Sequence, residues 1–319
     1  MSATCRVNLV QSKRFAYTII EFLVCIAVIS ILLSMLIVSV QSVRESARKT
    51  QCQNNLRQTM FALIQIVDTA KLLPNDLCVE IKPQIRGNSV LGSPFVLIAQ
   101  HLSIPCIAFQ GKIRIDNDKT GESFPPNLFT CPSTGDRRLA IRMNLGVERQ
   151  FSFEKGIDDM LFRRRRDGKL SLSGVTDGLS NTIAFAERPA ANNTRIVHRA
   201  IAVDGSAQAF VDMPTYCSEA FRDGNVFNGD SEWWSAGVYE SMYDHSRVPN
   251  STSVDCVSSI GGLSLNSRQR ILISSRSYHP GGVNATALDG SVRFVSSSID
   301  SVSWRALGTH NAGDVISEQ

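Results

Sequence analysis

The sequence predicts an α+β protein: one long N-terminal helix followed by a mainly antiparallel, β-rich globular head. Three observations predict it. An apolar run, Y-T-I-I-E-F-L-V-C-I-A-V-I-S-I-L-L-S-M-L-I-V-S-V, begins at Tyr17. No proline occurs before Pro74, and all 21 glycines fall at Gly87 or later, so nothing breaks a helix until about Ala70. Beyond Pro74, glycine, proline, serine and asparagine appear throughout, together with five Asp-Gly dipeptides. Asp-Gly between alternating residues is the strongest short-range hairpin signal.

The apolar run is the first element. Ile19 to Val43 is long enough to cross a bilayer, which takes about 20 apolar residues. It is too long for the core of a cleaved secretory signal, about 7–15 residues. Lys13 and Arg14 precede it, which favours an N-terminus inside the cell, although Arg44, Arg48 and Lys49 flank the other end. Glu21 is the only charged residue between Arg14 and Arg44. A carboxylate at the centre of a membrane helix costs about 2.5–3.5 kcal/mol on insertion scales, so a partner for it is expected.

The helix should continue past the membrane. From Tyr17 to Ala70 at 1.5 Å per residue it would run about 80 Å. Apolar residues recur at Val43, Ala47, Leu56, Met60, Leu63, Ile64 and Val67, which is helical spacing along one face. Glu45 and Lys49 form an i,i+4 pair on the polar side. This half is expected to lie half-buried on the folded domain. The chain therefore divides into residues 1–16 before the span, 17–43 in the membrane, 44–73 as an amphipathic continuation and 74–319 as the head.

Roughly 250 residues beyond the apolar segment are enough for one large domain or two small ones. The composition is 43% hydrophobic and 19% charged, and a net charge of +4 is too small to argue for a nucleic-acid partner. In the head, N-A-T-A-L, D-G, S-V-R-F-V around Asp289 reads as a hairpin, and Val203-Asp204-Gly205-Ser206 as a weaker echo. Arg163–Arg166 reads as one polar arm of a hairpin turning at Asp167-Gly168, in preference to an anion-binding patch. Cys52, Cys78, Cys106, Cys131, Cys217 and Cys256 follow the span with no C-x-x-C pair, which disfavours zinc ribbons and thioredoxin-type chemistry. Six such cysteines permit 15 disulfide pairings, or burial as small apolar residues.

Function-bearing patterns are few. His279 and Asp289 could be a metal or catalytic pair. The structural alternative is preferred: Gly281 and Gly282 allow positive φ in a turn, His279 bonds the backbone there, and Asp289 with Gly290 opens the final turn. Asp223–Asp230 offers oxygens for calcium but lacks EF-hand spacing. Asp244-His245-Ser246 are adjacent, whereas catalytic triads assemble in space. Trp233-Trp234 could stack on sugar, and core packing is the preferred reading. No G-x-S-x-G, H-E-x-x-H or G-K-[ST] occurs, so no enzyme, cofactor or metal is expected.

The N-terminal residues K-R-F-A-Y-T-I-I-E-F-L-V resemble the class III, prepilin-type signal. That resemblance implies cleavage by a prepilin peptidase after Ala16, N-methylation of Tyr17, and Glu21 as the fifth mature residue. It also implies that Glu21 pairs with the N-terminal amine of a neighbouring subunit. The family prefers Gly before the cut and Phe after it, and this chain has Ala16 and Tyr17. The rest resembles bacterial prepilin-like proteins, abundant in planctomycetes, with a C-terminal domain of unknown function (1559). The matching segments are S-V-R-E-S-A-R-K-T-Q-C-Q-N-N-L-R-Q (Ser42–Gln58), F-T-C-P-S (Phe129–Ser133), T-D-G-L-S-N-T-I (Thr176–Ile183) with Glu187, Y-H-P-G-G-V-N (Tyr278–Asn284), L-D-G-S-V-R-F (Leu288–Phe294) and W-R-A-L-G-T (Trp304–Thr309).

The resemblance implies a pilin-like architecture. The implied function is a single-pass subunit of the cytoplasmic membrane, with its N-terminus inside and its head periplasmic or at the cell surface. It would assemble into a type IV pilus or a type II secretion-like filament. Its partners would be the prepilin peptidase, other pilin-like subunits and membrane lipid. The alternative is a non-polymerising anchored binding module, for example for surface glycan.

Overall fold

The computed structural model describes residues 18–74, 79–81, 90–102, 107–109, 112–114, 125–135, 137–147, 150–151, 161–162, 170–190, 202–204, 213–226, 241–260 and 268–313. Ala16, Tyr17, Cys5, Cys78, Cys106, the Arg163–Arg166 run with Asp167-Gly168, Trp233-Trp234 and residues 227–230 of the calcium-like loop lie outside these. The chain divides into two compact units, Met1–Ala47 and Arg48–Gln319. The architecture is α+β.

Helix α1 runs over Ile19–Ala70. Its start is a capping box. Glu21 Oε2 accepts the Thr18 N–H (2.8 Å) and the Thr18 hydroxyl (2.9 Å), and Thr18 Oγ1 accepts the Glu21 N–H (3.3 Å). Its end is set by Lys71, whose φ of 61° is left-handed, and by buried Leu73, whose N–H donates to the Leu170 carbonyl (2.7 Å). In the first unit every described side chain from Ile19 to Val43 is exposed. This is the one helix among the described residues long and apolar enough to cross a membrane.

From Arg48 onward the helix belongs to the second unit. Cys52, Leu56, Met60, Leu63 and Val67 are buried there at spacings of three and four, which place them on one face. Val43 and Ala47, expected in the same stripe, are exposed. The buried stripe starts at Cys52.

Among the described residues the head holds two larger sheets and two short antiparallel strand pairs. Strands β1 (Val79–Ile81) and β2 (Val90–Gly92) pair antiparallel, as do β3 (Ile107–Phe109) and β4 (Lys112–Arg114). The larger sheets are built from β5 (Ile141–Asn144), β6 (Gln150–Phe151), β7 (Ile183–Glu187), β8 (Ala202–Asp204), β9 (Met242–Tyr243), β10 (Cys256–Ile260), β11 (Arg268–Leu272), β12 (Gly282–Ala287) and β13 (Val292–Ser296). One has the order β13-β12-β7-β5-β9, the other β6-β11-β10-β8. Both are mixed rather than purely antiparallel, because β5–β9 and β8–β10 run parallel. Parallel neighbours need long crossovers, and alternation within a strand does not report them.

Among the described residues the head also has three shorter helices: α2 (Pro94–His101), α3 (Met213–Arg222) and α4 (Ser301–Ala306). α2 starts with Ser93, whose hydroxyl accepts the Phe95 N–H (3.1 Å), and with Pro94 at its first position. Asp300 caps α4 by accepting the Val302 and Ser303 N–H groups (2.9 Å each). The core between these elements includes Phe95, Phe129, Phe162 and Phe185, with ring centroids 5.1–6.0 Å apart.

The Asp-Gly dipeptides divide by context. Asp289-Gly290 joins β12 to β13: Gly290 has φ +89°, its N–H donates to the Ala287 carbonyl (3.0 Å), and Asp289 Oδ1 accepts the Ser291 N–H (2.8 Å). Asp223-Gly224 ends α3 instead. Gly224 (φ +81°) donates to the Phe221 carbonyl and Asn225 to that of Ala220, a helix C-cap. Asp177-Gly178 turns into β7 from a one-turn 3-10 helix at Leu172–Gly174. Strand β8 ends at Asp204 and pairs parallel with β10, and the chain from Gly205 to 212 lies outside the described residues. The dipeptide reports a need for positive φ, which a helix end shares with a hairpin.

Candidate functional site

Residues from four of the stretches that carry the sequence resemblance, Cys52, Cys131, Glu187 and His279, meet at one buried place in the second unit. Cys52 on α1 and Cys131, which precedes a 3-10 turn at Pro132–Thr134, form a disulfide across 79 residues of sequence. Two further polar side chains stand on it. Glu187 ends β7, and His279 lies in the turn that leads into β12. His279 Nε2 is 3.3 Å from Glu187 Oε1 and 3.5 Å from Cys131 Sγ. Glu187 and His279 are each 2% exposed.

Asn284 on β12 holds the carboxylate. Its backbone N–H donates to Glu187 Oε2 and its side-chain amide to Oε1, both at 2.9 Å. Asn284 Oδ1 in turn accepts from Gln53 Nε2 (3.0 Å), one residue beyond Cys52. The Glu187 carbonyl accepts the Arg276 N–H (2.8 Å). Sulfur, imidazole and carboxylate thus converge from α1, β7, β12 and the loop at Cys131.

The two glycines after Pro280 serve different needs. Gly281 takes φ +84°, the left-handed turn. Gly282 lies within β12, and a Cβ there would meet the Val295 carbonyl oxygen at 2.1 Å and the Phe294 ring at 2.9 Å. It is glycine because β13 passes too close, so the expected positive φ applies to Gly281 alone. Gly290 at the far end of β12 faces α1, where a Cβ would touch the Phe61 ring at 3.3 Å. Lys49 Nζ stands 3.2 Å from the centroid of the Phe294 ring.

His279 and Asp289 sit at opposite ends of β12, so the structure does not bring them together as a pair. Glu21 is in the other unit, on the exposed part of α1. Glu187, Cys52 and Cys131 are the residues beside His279. Spacing carries no signal for them, because Cys52 and Cys131 are 79 residues apart and Cys131 and His279 are 148 apart.

Two other buried polar clusters flank the sheets. Asp255 takes Arg188 and Arg276: Arg188 Nη2 and Arg276 Nε reach Oδ2 at 2.8 Å each, and Arg276 Nη2 reaches Oδ1 at 2.8 Å. Burial disfavours the charged carboxylate, but Arg276 and Arg188 together outweigh burial and hold its pKa below the usual carboxylate value. The Asp244-His245-Ser246 run forms no triad. Asp244 accepts the backbone N–H groups of Ser246 and Ile273. His245 Nδ1 is bonded to the Trp304 carbonyl (2.8 Å) and Nε2 to the Tyr243 hydroxyl (2.9 Å), with its ring stacked 3.9 Å from Trp304. Burial pushes the Asp244 pKa up to about 6, against the hydrogen bonds it accepts. Burial lowers that of His245 to about 3, so the ring is neutral. Gly308 permits this stacking, since a Cβ there would lie 2.4 Å from the His245 ring.

The second disulfide, Cys217–Cys256, has apolar surroundings: Ala220, Leu272, Phe221 and Val254. Cys25, in the apolar run, is free and exposed.

A family model described as a protein of unknown function (DUF1559) matches residues 41–302. The chain belongs to that family. No curated protein and no solved structure matches it. The match takes in the last part of α1 together with all the sheets described above, and so includes every residue of the Cys52–Cys131 cluster.

Proposed function

We propose that this DUF1559 protein is a membrane-anchored, pilin-like structural subunit. A prepilin peptidase would cut between Ala16 and Tyr17, and the exposed part of α1 would then serve as both anchor and assembly surface. One observation carries this reading. A single helix is predominantly apolar over Ile19–Val43 with its described side chains exposed, and from Cys52 one face of it is buried and disulfide-bonded into the head. A plain anchor has no need of a helix that continues into the fold as a core element. A subunit that must transmit load between its anchor and its head does.

Assembly into a type IV pilus or type II secretion-like filament would use Glu21 as the partner of a neighbour's N-terminal amine. Mass spectrometry of the mature N-terminus tests the processing step: the expected species begins at methylated Tyr17, and a chain retaining Met1 or an intact leader overturns it. Glu21→Ala should abolish crosslinked multimers while leaving membrane anchoring intact.

A second reading is favoured by the capping box. Glu21 already has a local role, bonded to Thr18 within its own chain. On that ground the protein is a non-polymerising anchored binding module, for instance for surface glycan. Glycan retention by the intact protein in detergent, with no multimer crosslinked through α1, would decide for this second reading.

A further inference from the structure

The Cys52–Cys131 disulfide lies against a histidine nitrogen and a carboxylate oxygen, and the four side chains present ligand atoms within 4.8 Å of one another. We propose that this disulfide is one of two states of the site. Reduced, the same cluster is a tetrahedral zinc site with Cys52 Sγ, Cys131 Sγ, His279 Nε2 and a Glu187 carboxylate oxygen as ligands. The proposal is independent of whether the chain polymerises.

The geometry carries it. Tetrahedral zinc, with Zn–S near 2.3 Å and Zn–N and Zn–O near 2.0–2.1 Å, places neighbouring ligands about 3.5 Å apart for N to S and about 3.4 Å for N to O. The His279–Cys131 and His279–Glu187 distances are 3.5 and 3.3 Å. Two edges of the tetrahedron are therefore already set. What differs is the sulfur pair. Bonded sulfurs lie about 2.05 Å apart, and two thiolates on zinc need about 3.8 Å. Each sulfur must move by slightly under about 1 Å, within reach of a side-chain rotation.

The outer contacts suit a metal as well. Asn284 holds both carboxylate oxygens of Glu187, and Gln53 holds Asn284, the arrangement that orients metal-bound carboxylates. A carboxylate and an imidazole buried on a disulfide are costly where the disulfide alone would staple α1 to the head. The Cys217–Cys256 disulfide joins α3 to β10 among the apolar side chains of Ala220, Leu272, Phe221 and Val254.

The chemistry balances with one dithiol. Its two electrons and two protons convert the Cys52–Cys131 bond to two thiols, and the dithiol becomes a disulfide. Zinc then displaces both thiol protons and takes the lone pair of an unprotonated His279 Nε2. A disulfide oxidant reverses the sequence: it takes the two thiolate electrons and two protons from water to become a dithiol, the Cys52–Cys131 bond forms, and zinc leaves because a disulfide offers no thiolate. In either state α1 stays fastened to the head.

The test uses the full chain in detergent, with cobalt(II) as a spectroscopic stand-in for zinc. After reduction with a phosphine, cobalt should give tetrahedral d–d bands and a thiolate charge-transfer band at one equivalent per chain. Zinc should displace it, and the oxidised chain should show neither band. Cys52→Ser should lose the signal, and His279→Gln should weaken binding by more than about tenfold, whereas Asn284→Ala should weaken it about 10–100-fold. The Cys217→Ser/Cys256→Ser double variant should keep the signal, which separates this site from the thiols of the second disulfide. If reduction loosens the fold, zinc should restore it. A reduced chain that takes up no cobalt, or one whose cobalt bands survive Cys52→Ser, overturns the proposal.

Discussion

The two units of this chain follow opposite rules of burial. In the first, large apolar side chains face outward: among the described residues, all the exposed large hydrophobics except Phe61 and Val302 lie between Ile19 and Val43. In the second, charged and polar groups are inside, with Arg188, Asp255, Glu187, His279, Asp244 and His245 all at most 2% exposed. The difference teaches what each environment must supply. An apolar surface facing outward is stable only against lipid or another apolar surface. A buried charge is stable only when its partners are fixed in place. The first rule needs a composition, whereas the second needs a geometry.

Asp255→Ala should give the largest effect, because it leaves Arg188 and Arg276 buried around an absent carboxylate. A loss of about 3–5 kcal/mol is expected from denaturant unfolding of the detergent-solubilised chain. A loss below about 1 kcal/mol would mean that the guanidiniums find water or other acceptors, and the contrast between the units would weaken.

Next comes a matched pair on one helix. Leu63→Ala removes a fully buried side chain and should cost about 2–5 kcal/mol. Leu33→Ala, on the exposed part of α1, should change head unfolding by no more than about 0.5 kcal/mol. Equal losses from the two would erase the distinction between them.

Acid titration sharpens the second unit's rule. Asp244, raised to about 6, loses stabilisation as pH rises from about 4 to 6. His245, lowered to about 3, loses stabilisation as pH falls from 6.5 towards 3. Between about pH 4 and 6 the two slopes oppose each other, so this neighbouring pair contributes little net pH dependence. Asp244→Asn removes one slope. Its stability should then rise with pH by about 1.4 kcal/mol per unit more than the parent does over that window. Urea midpoints at pH 4, 5 and 6 read this directly, and parallel profiles for the two chains would contradict the assignment.

The smallest effect belongs to the first unit. Thr18→Ala removes the capping box and should cost about 1 kcal/mol locally. Faster amide exchange over Ile19–Phe22, with head unfolding unchanged, is the expected readout.

Much of α1 was legible because its signals are local. The absence of glycine and proline before Pro74 permits one helix, and the buried positions Leu56, Met60, Leu63 and Val67 follow from spacing alone. The T-x-x-E capping box at Thr18 and Glu21 is an equally local signal. In the head, the β12–β13 hairpin could be read from Asp289-Gly290. The same dipeptide ends a helix at Gly224 and turns a loop into β7 at Gly178. The parallel pairings of β9 and β8 left no local trace.

Sequence by itself determined the two environments of this protein. An uninterrupted apolar helix must be covered by lipid or by other apolar surface, and a helix without breakers carries its own backbone hydrogen bonds. Only the tertiary structure decided which cysteines meet, which of the buried charges share Asp255, and that His279 faces Glu187 instead of Asp289. The physical reason is range. Backbone propensity and periodicity act over a few residues, whereas a disulfide across 79 residues, or an Asn284–Glu187 bond across 97, exists only once the sheets and α1 have packed.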